Sequence, residues 1–279
     1  MKPGRYTDIS IEQYHAGPGV SRSRMSALEN GSPLLCKYRA ENPRPATDAM
    51  NLGNVVDALV YEPDTVKQRF AVTSLSTRTK AYKEFCAEHP DRIVITEEMR
   101  DRAAEMASAV LSSKVVRALM GNAGAQESWY WDEAGLLCKT RPDGYDETEG
   151  WTFDLKTTFS LERRKLDTSM ADYLYDVQMA MNLCGARANG LPWNGHVLIW
   201  VEKSAPFDVR CDFFSPNSNW VTYGLSRFER LRKQYQQCLE SGLWPGFADT
   251  LNEPPTPTWV SHKLAAEEEL ERAQERESM

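Results

Sequence analysis

The seven residues 151–157, WTFDLKT, constrain the fold more than any other part of the chain. In a strand, successive side chains point to opposite faces. Trp151, Phe153 and Leu155 then enter a core, while Asp154 and Lys156 share the other face. Asp143 stands at the end of the preceding strand, just before a turn. Antiparallel pairing of the two strands predicts that the Asp143 and Asp154 carboxylates lie roughly 5 Å apart. Such a face is either a surface hairpin with scattered charges or a charged site.

Two carboxylates at that separation repel unless one is protonated or a cation sits between them. A hard divalent ion, Mg²⁺ with Mn²⁺ as a substitute, is the natural occupant. Lys156 beside it would orient or deprotonate an attacking water and offset phosphate charge.

The remainder of the chain predicts an α+β (α/β) fold. Helical spacing marks 22–30, 34–41 and 50–61, the last through Leu52, Val55, Val56, Leu59 and Val60. Residues 63–80 read as loop and short elements, and a helix over 97–120 is interrupted near Ser112 and Ser113. Runs at 128–131, 136–141 and 151–157, joined by turn signals, predict a three-stranded meander. Then come a helix over 171–188, strands over 196–202 and 207–214, and a helix over 216–241 with Ser215 as N-cap and Pro216 at its first position. The prolines and glycines of 242–260 predict a loop-like exit, and the Glu-rich residues 261–279 a charged helical or flexible tail. The expected organisation is one domain over 1–260, a central mixed sheet flanked by helices with a helical N-terminal part, and then that tail.

With 279 residues, 41% hydrophobic and 26% charged, the chain can bury a sizeable core. No apolar run approaches a membrane span and no signal-like run follows the basic N-terminus, so no membrane and a cytoplasmic location are expected. The six cysteines form no CxxC pair, which weighs against a zinc ribbon or an iron–sulfur cluster. Cys36, Cys138, Cys184 and Cys211 lie in apolar or strand-like surroundings and read as structural thiols. A net charge of −7 disfavours DNA binding. Acidic residues, however, concentrate in 262–279, while 22–39 and 163–165 are locally basic.

Six blocks occur in one order: ISIEQYHAGPGVSRSRM at 9–25, LGNVVDALVYEP at 52–63, ESWYW at 127–131, GLLCKTRPDG at 135–144, FDLKTT at 153–158 and YLYDVQMAM at 173–181. Through them the chain resembles the PD-(D/E)xK nuclease superfamily and, within it, the exonuclease VIII (RecE) nuclease domain and phage lambda-type exonucleases. The resemblance implies a Mg²⁺-dependent exodeoxyribonuclease, bacterial or phage-encoded, that resects double-stranded DNA ends 5′→3′ to leave 3′ single-stranded overhangs. It also implies a ring of three or four subunits and a single-strand annealing partner of the RecT or Red-beta kind. An endonuclease of the same superfamily and an idle DNA-end clamp are the alternatives. The intact Asp143, Asp154 and Lys156 weigh against the clamp.

By the resemblance, Asp143 and Asp154 are the motif acids, Lys156 the motif lysine and the Leu155 carbonyl a backbone metal ligand. Gln178 matches the glutamine of a QxxxY motif, whose tyrosine is replaced here by Asn182. Gln178, Asn182 and Tyr175 would still share a helix face. Asp57 stands where RecE-type enzymes carry histidine and lambda-type enzymes an acid. It either faces the metal or occupies the wet side of its helix. Ser23 matches a serine that lambda-type enzymes use for the 5′-phosphate. Ser21, Arg22, Ser23 and Arg24, at a predicted helix N-terminus, suit a terminal phosphate. Helix capping explains the serines equally well. Glu127 aligns with a glutamate before the strand pair and is expected beside Lys156 as a catalytic residue.

Overall fold

The computed structural model describes residues 1–124, 126–249, 251 and 256–277. Strand β1 (Gly4–Tyr6) leads into helices α1 (Ile11–Ala16), α2 (Arg22–Glu29), α3 (Pro33–Glu41) and α4 (Asp48–Tyr61). Hydroxyl caps fix three of these starts. Ser10 accepts from the Gln13 N–H in a reciprocal capping box, Ser32 from Leu35 and Thr47 from Met50. The next stretch holds α5 (Val66–Arg69), β2 (Phe70–Thr73), α6 (Lys80–Glu88), β3 (Ile93–Thr96), α7 (Glu97–Ser112) and α8 (Lys114–Met120). Ser113 ends α7 and caps α8 through the Val116 N–H, at the expected interruption. Strands β2 and β3 form a parallel pair that four-residue runs were too short to announce.

The second half contains β4 (Ser128–Glu133), β5 (Leu136–Thr140), β6 (Gly144–Asp146), β7 (Trp151–Thr158), α9 (Arg163–Asp172), α10 (Tyr175–Ala188), β8 (Gly195–Glu202), β9 (Val209–Phe214) and α11 (Asn219–Ser241). The expected meander does not form. Strands β4 and β5 pair with each other and with β1, whereas β6 and β7 belong to a separate sheet of order β6-β7-β8-β9. The chain changes sheets across Arg141-Pro142-Asp143, where Pro142 has no N–H to extend the β5 ladder. Two helix starts also differ. Leu174, in the left-handed region at φ 55°, separates α9 from α10, and Ser218 rather than Ser215 caps α11. Ser215 instead closes a turn by accepting the Ser218 N–H.

In the four-stranded sheet β7 and β8 run parallel, and the two outer pairs are antiparallel. One face, with Phe153, Leu155, Val197 and Ile199, packs on α4 and α7 through Val55, Val56, Met106 and Val110. The opposite face carries Leu198 and Trp200 against Leu166, Met170 and Met179 of α9 and α10. Helix α10 is buried along most of its length and also meets the smaller sheet and α11. Arg227 of α11 grips both Asp176 oxygens at 3.1 and 3.0 Å and reaches Glu29 of α2 at 3.1 Å.

Contacts divide the chain into Met1–Trp244 and Pro245–Met279. The second unit contains α12 (Thr258–Glu277), so the described part of the tail is helical. Among the described residues no helix is long and apolar enough to cross a membrane.

The α10–α11 crossing yields a stability test. A Cβ on Gly224 would collide with the Asp176 carbonyl oxygen, whereas one on Gly53 of α4 meets nothing within 4 Å. Gly224→Ala should cost about 1–3 kcal/mol in urea denaturation. Gly53→Ala should gain up to about 1 kcal/mol from reduced chain entropy. Equal effects would mean that the helix crossing is not held by close backbone contact.

Candidate active site

Strand β7 brings Asp154 and Lys156 to one face, as the alternation requires. The Lys156 Nζ donates to Asp154 Oδ1 at 2.8 Å and stands 4.0 Å from Asp143 Oδ2. Asp143 is tied to the same strand: its Oδ2 accepts the Leu155 N–H at 2.8 Å, and its own N–H donates to the Phe153 carbonyl at 3.0 Å. From α10, Gln178 Nε2 donates to Asp154 Oδ1 at 2.7 Å.

Helix α4 adds Asp57, which lines the same cavity of about 400 Å³ and is therefore not on a wet helix face. Its Oδ2 accepts from Gln126 Nε2 at 2.7 Å. Gln126 in turn accepts from Arg141 Nε at 3.2 Å, and Arg141 Nη1 is anchored by the Ser128 hydroxyl at 2.7 Å and the Ile9 carbonyl at 3.0 Å. Arg141 forms no ion pair with a carboxylate among the described residues, and burial pulls its pKa down.

Burial, then the Asp57 and Asp154 charges, hold Asp143 well above the usual carboxylate range. Burial likewise pushes Asp57 up from 3.8 to about 6, against the Gln126 hydrogen bond and Lys156. Burial alone would favour neutral Lys156, but Asp154 and Asp143 outweigh it and raise its pKa. In the metal-free protein Lys156 is therefore a cation, placed to orient water and offset phosphate charge. Behind Asp154, burial pushes His196 down to about 4, so its imidazole is neutral.

These residues fit a hard divalent cation. Asp57 Oδ1 and Asp154 Oδ2 are buried without a hydrogen-bond partner, and unpaired buried oxygens are costly. The Asp57 and Asp154 charges also disfavour an ionised Asp143, a repulsion that a divalent cation among the three would relieve; Lys156, Arg22, Arg69 and Arg141 line the same cavity. Among the described residues, no three His, Cys, Asp or Glu side chains close around one point. Complete coordination would need other oxygens, and Leu155 lines the cavity where its carbonyl was expected to serve.

Ser21, Arg22 and Ser23 line this cavity. Ser21 occupies the N-cap position of α2 but makes no capping hydrogen bond, so capping does not account for its hydroxyl. Arg22 Nη1 donates to the Tyr173 carbonyl at 3.1 Å. Arg24 is not among the cavity walls. It faces a separate groove with Gly17, Val20 and Tyr235, because residues two apart on a helix point in different directions.

Glu127 is also elsewhere: it binds Arg5 at 2.6 and 2.7 Å and accepts from Trp129 Nε1 at 3.0 Å. Its neighbour Gln126 points into the site instead, since side chains alternate along an extended chain. Asn182 turns to the Thr140 hydroxyl, so the polar face of α10 at the cavity consists of Gln178 and Tyr175. Sequence reasoning missed Gln126, Arg141 and His196. Only Arg141, adjoining the Pro142-Asp143 pair, carried a local signal.

Fold and site together define a PD-(D/E)xK nuclease core. The chain belongs to the family described as the PDDEXK-like domain of unknown function (DUF3799), which it matches over residues 33–252. A candidate exonuclease from Eubacterium rectale has a similar fold at 14% identity and a TM-score of 0.66, over 90% of this chain and 97% of that one. A phage related exonuclease from Haemophilus somnus 129PT, at 10% identity over 83% of this chain and 100% of that one, reaches a TM-score of 0.34 and adds nothing to the fold assignment. No curated protein matches the chain.

The raised carboxyl pKa values fix a pH dependence. Without metal the native state binds more protons than the unfolded chain between the ordinary Asp57 value of 3.8 and its folded value of about 6. Stability contributed by protonated Asp57 is thus fully present below that window and lost as pH rises through about 6. Denaturation in EDTA should show a loss on the order of 1–3 kcal/mol across the window, flattened in Asp57→Asn and recovered by Mg²⁺ at pH 8. Identical profiles for wild type and Asp57→Asn would show that burial does not perturb Asp57.

Proposed function

We propose that this chain is a divalent-metal-dependent exodeoxyribonuclease that resects the ends of linear double-stranded DNA. The observation that carries the reading is the convergence of Asp57, Asp143 and Asp154 on one cavity around Lys156, with two buried carboxylate oxygens unpaired. A bound Mg²⁺ or Mn²⁺ would supply an activated water and charge stabilisation for the leaving oxygen. Asp143, Asp154 and Asp57 are the side chains that would hold it. Gln178 fixes Asp154 and Gln126 fixes Asp57, so neither carboxylate must reorganise when charge develops. Lys156 faces the phosphate as a cation. Arg22 and Arg141 add positive charge to the walls, and Ser21 and Ser23 add hydroxyls, which suits an incoming 5′-phosphate.

The family resemblance supports the finer points: 5′→3′ polarity, 3′ overhangs for annealing-dependent recombination, an annealing-protein partner and a closed ring. A ring also suits the charge of −7, because it can turn basic patches toward DNA and acidic surface outward.

Duplexes labelled at either end, incubated with Mg²⁺ or EDTA, test the activity. Wild type should release nucleotides from linear duplex only with metal. Asp143→Asn, Asp154→Asn and Lys156→Ala should each lose at least roughly hundredfold in rate while melting cooperatively. Near-normal rates in any one of them would refute the site, and cutting of covalently closed circles would replace exonuclease with endonuclease. Ser23→Ala should shrink the preference for 5′-phosphorylated over 5′-hydroxyl ends. Light scattering should give three or four subunits, and a monomer at micromolar concentration would remove the ring.

A further inference from the structure

Behind the cavity, on the same sheet face as Asp154, lies a buried polar chain that the proposed reaction does not use. Thr152 and His196 stand opposite each other in the β7–β8 ladder, and both are fully buried. Trp193 Nε1 donates to Thr152 Oγ1 at 3.0 Å, and Thr152 Oγ1 lies 2.9 Å from His196 Nδ1. The other imidazole nitrogen, Nε2, has no hydrogen-bond partner and faces Asp154 Oδ2 at 3.5 Å. That oxygen also has no partner, whereas Asp154 Oδ1 receives both Lys156 and Gln178.

We infer that His196 is a positioning residue for Asp154, a role that rests on the metal-dependent reading above. The Thr152 hydroxyl accepts one bond from Trp193, and its one proton has two outlets, His196 Nδ1 at 2.9 Å or the Gly195 carbonyl at 3.4 Å, of which the first is the shorter. Donation to Nδ1 leaves the proton of the neutral imidazole on Nε2, aimed at Asp154 Oδ2. The other tautomer would set a lone pair against a buried carboxylate oxygen. Electrostatics and the shorter contact select the same form. The Nε2–H then presents its positive end to Oδ2 across 3.5 Å, an electrostatic contact that biases the carboxylate orientation and keeps Oδ1 on the side where Lys156 and Gln178 stand. Outer partners of this kind orient a metal-binding group and commonly change metal affinity by roughly tenfold to hundredfold when removed.

The imidazole ¹⁵N shifts of the metal-free protein report the tautomer directly, and only four histidines require assignment. The expected pattern is a protonated Nε2, and a protonated Nδ1 overturns the role. Calorimetric titration with Mn²⁺, without DNA, provides the second measurement. Glutamine carries its amide nitrogen near the reach of Nε2, asparagine near that of Nδ1. His196→Asn should therefore weaken Mn²⁺ binding by roughly tenfold or more, and His196→Gln should stay within about threefold of wild type. Thr152→Val, compared with Thr152→Ser, provides the same contrast if the histidine variants do not melt cooperatively: valine should weaken binding and serine should not. Unchanged affinity in the folded asparagine or valine variant, or equal losses in both members of either pair, overturns the positioning role while leaving the metal site standing. A wild type that binds no Mn²⁺ overturns both readings.

Discussion

The contact on which the site depends is the bonding of Asp154 Oδ1 by Lys156 Nζ and Gln178 Nε2, at 2.8 and 2.7 Å. Asp154 is 1% exposed, and a carboxylate so placed is costly unless its charge and its lone pairs are met. Lys156 meets the charge from the same strand. Gln178 binds it from α10, so this one bonded group also fixes the helix over the sheet. Asp143 then joins through the Leu155 N–H and the same ammonium. The polar centre is thus anchored to backbone as well as to side chains.

Holding α10 at that distance requires features far from the carboxylates. Leu174 adopts a left-handed conformation that costs about 1–2 kcal/mol in an L-residue. Its complete burial in the cluster with Val177, Met181 and Phe228 offsets the strain. On the far side, Gly224 lets α11 approach the α10 backbone, and Arg227 neutralises the Asp176 carboxylate buried at that crossing. Arg227 and Arg230 both reach Glu29 at the end of α2, the helix whose first turn brings Arg22 and Ser23 to the cavity. Packing and ion pairing away from the site therefore determine where its cations stand.

Much of the fold was legible because local patterns carried it. The apolar alternation of Phe153 and Leu155 identified β7, and the spacing of Leu52, Val55, Val56 and Leu59 identified α4. The pairing of strands was not legible. Short runs at 128–131, 136–141 and 151–157 look alike in sequence, yet Pro142 ends one ladder and the next begins in another sheet. Helix α9 and the parallel pair of β2 and β3 lacked enough length or periodicity to be seen.

The site divides along the same line. The sequence by itself determined that Asp154 and Lys156 share a strand face and that Asp143 stands near them, because period-two alternation and a turn are properties of neighbouring residues. Only the tertiary structure decided that Asp57 and Gln178 complete the cluster, that Gln126 and not Glu127 turns inward, that Arg24 faces elsewhere, and that His196 stands behind Asp154. Each of those outcomes depends on contacts between elements distant in sequence. Their burial and mutual charge are set by packing, which no local spacing encodes.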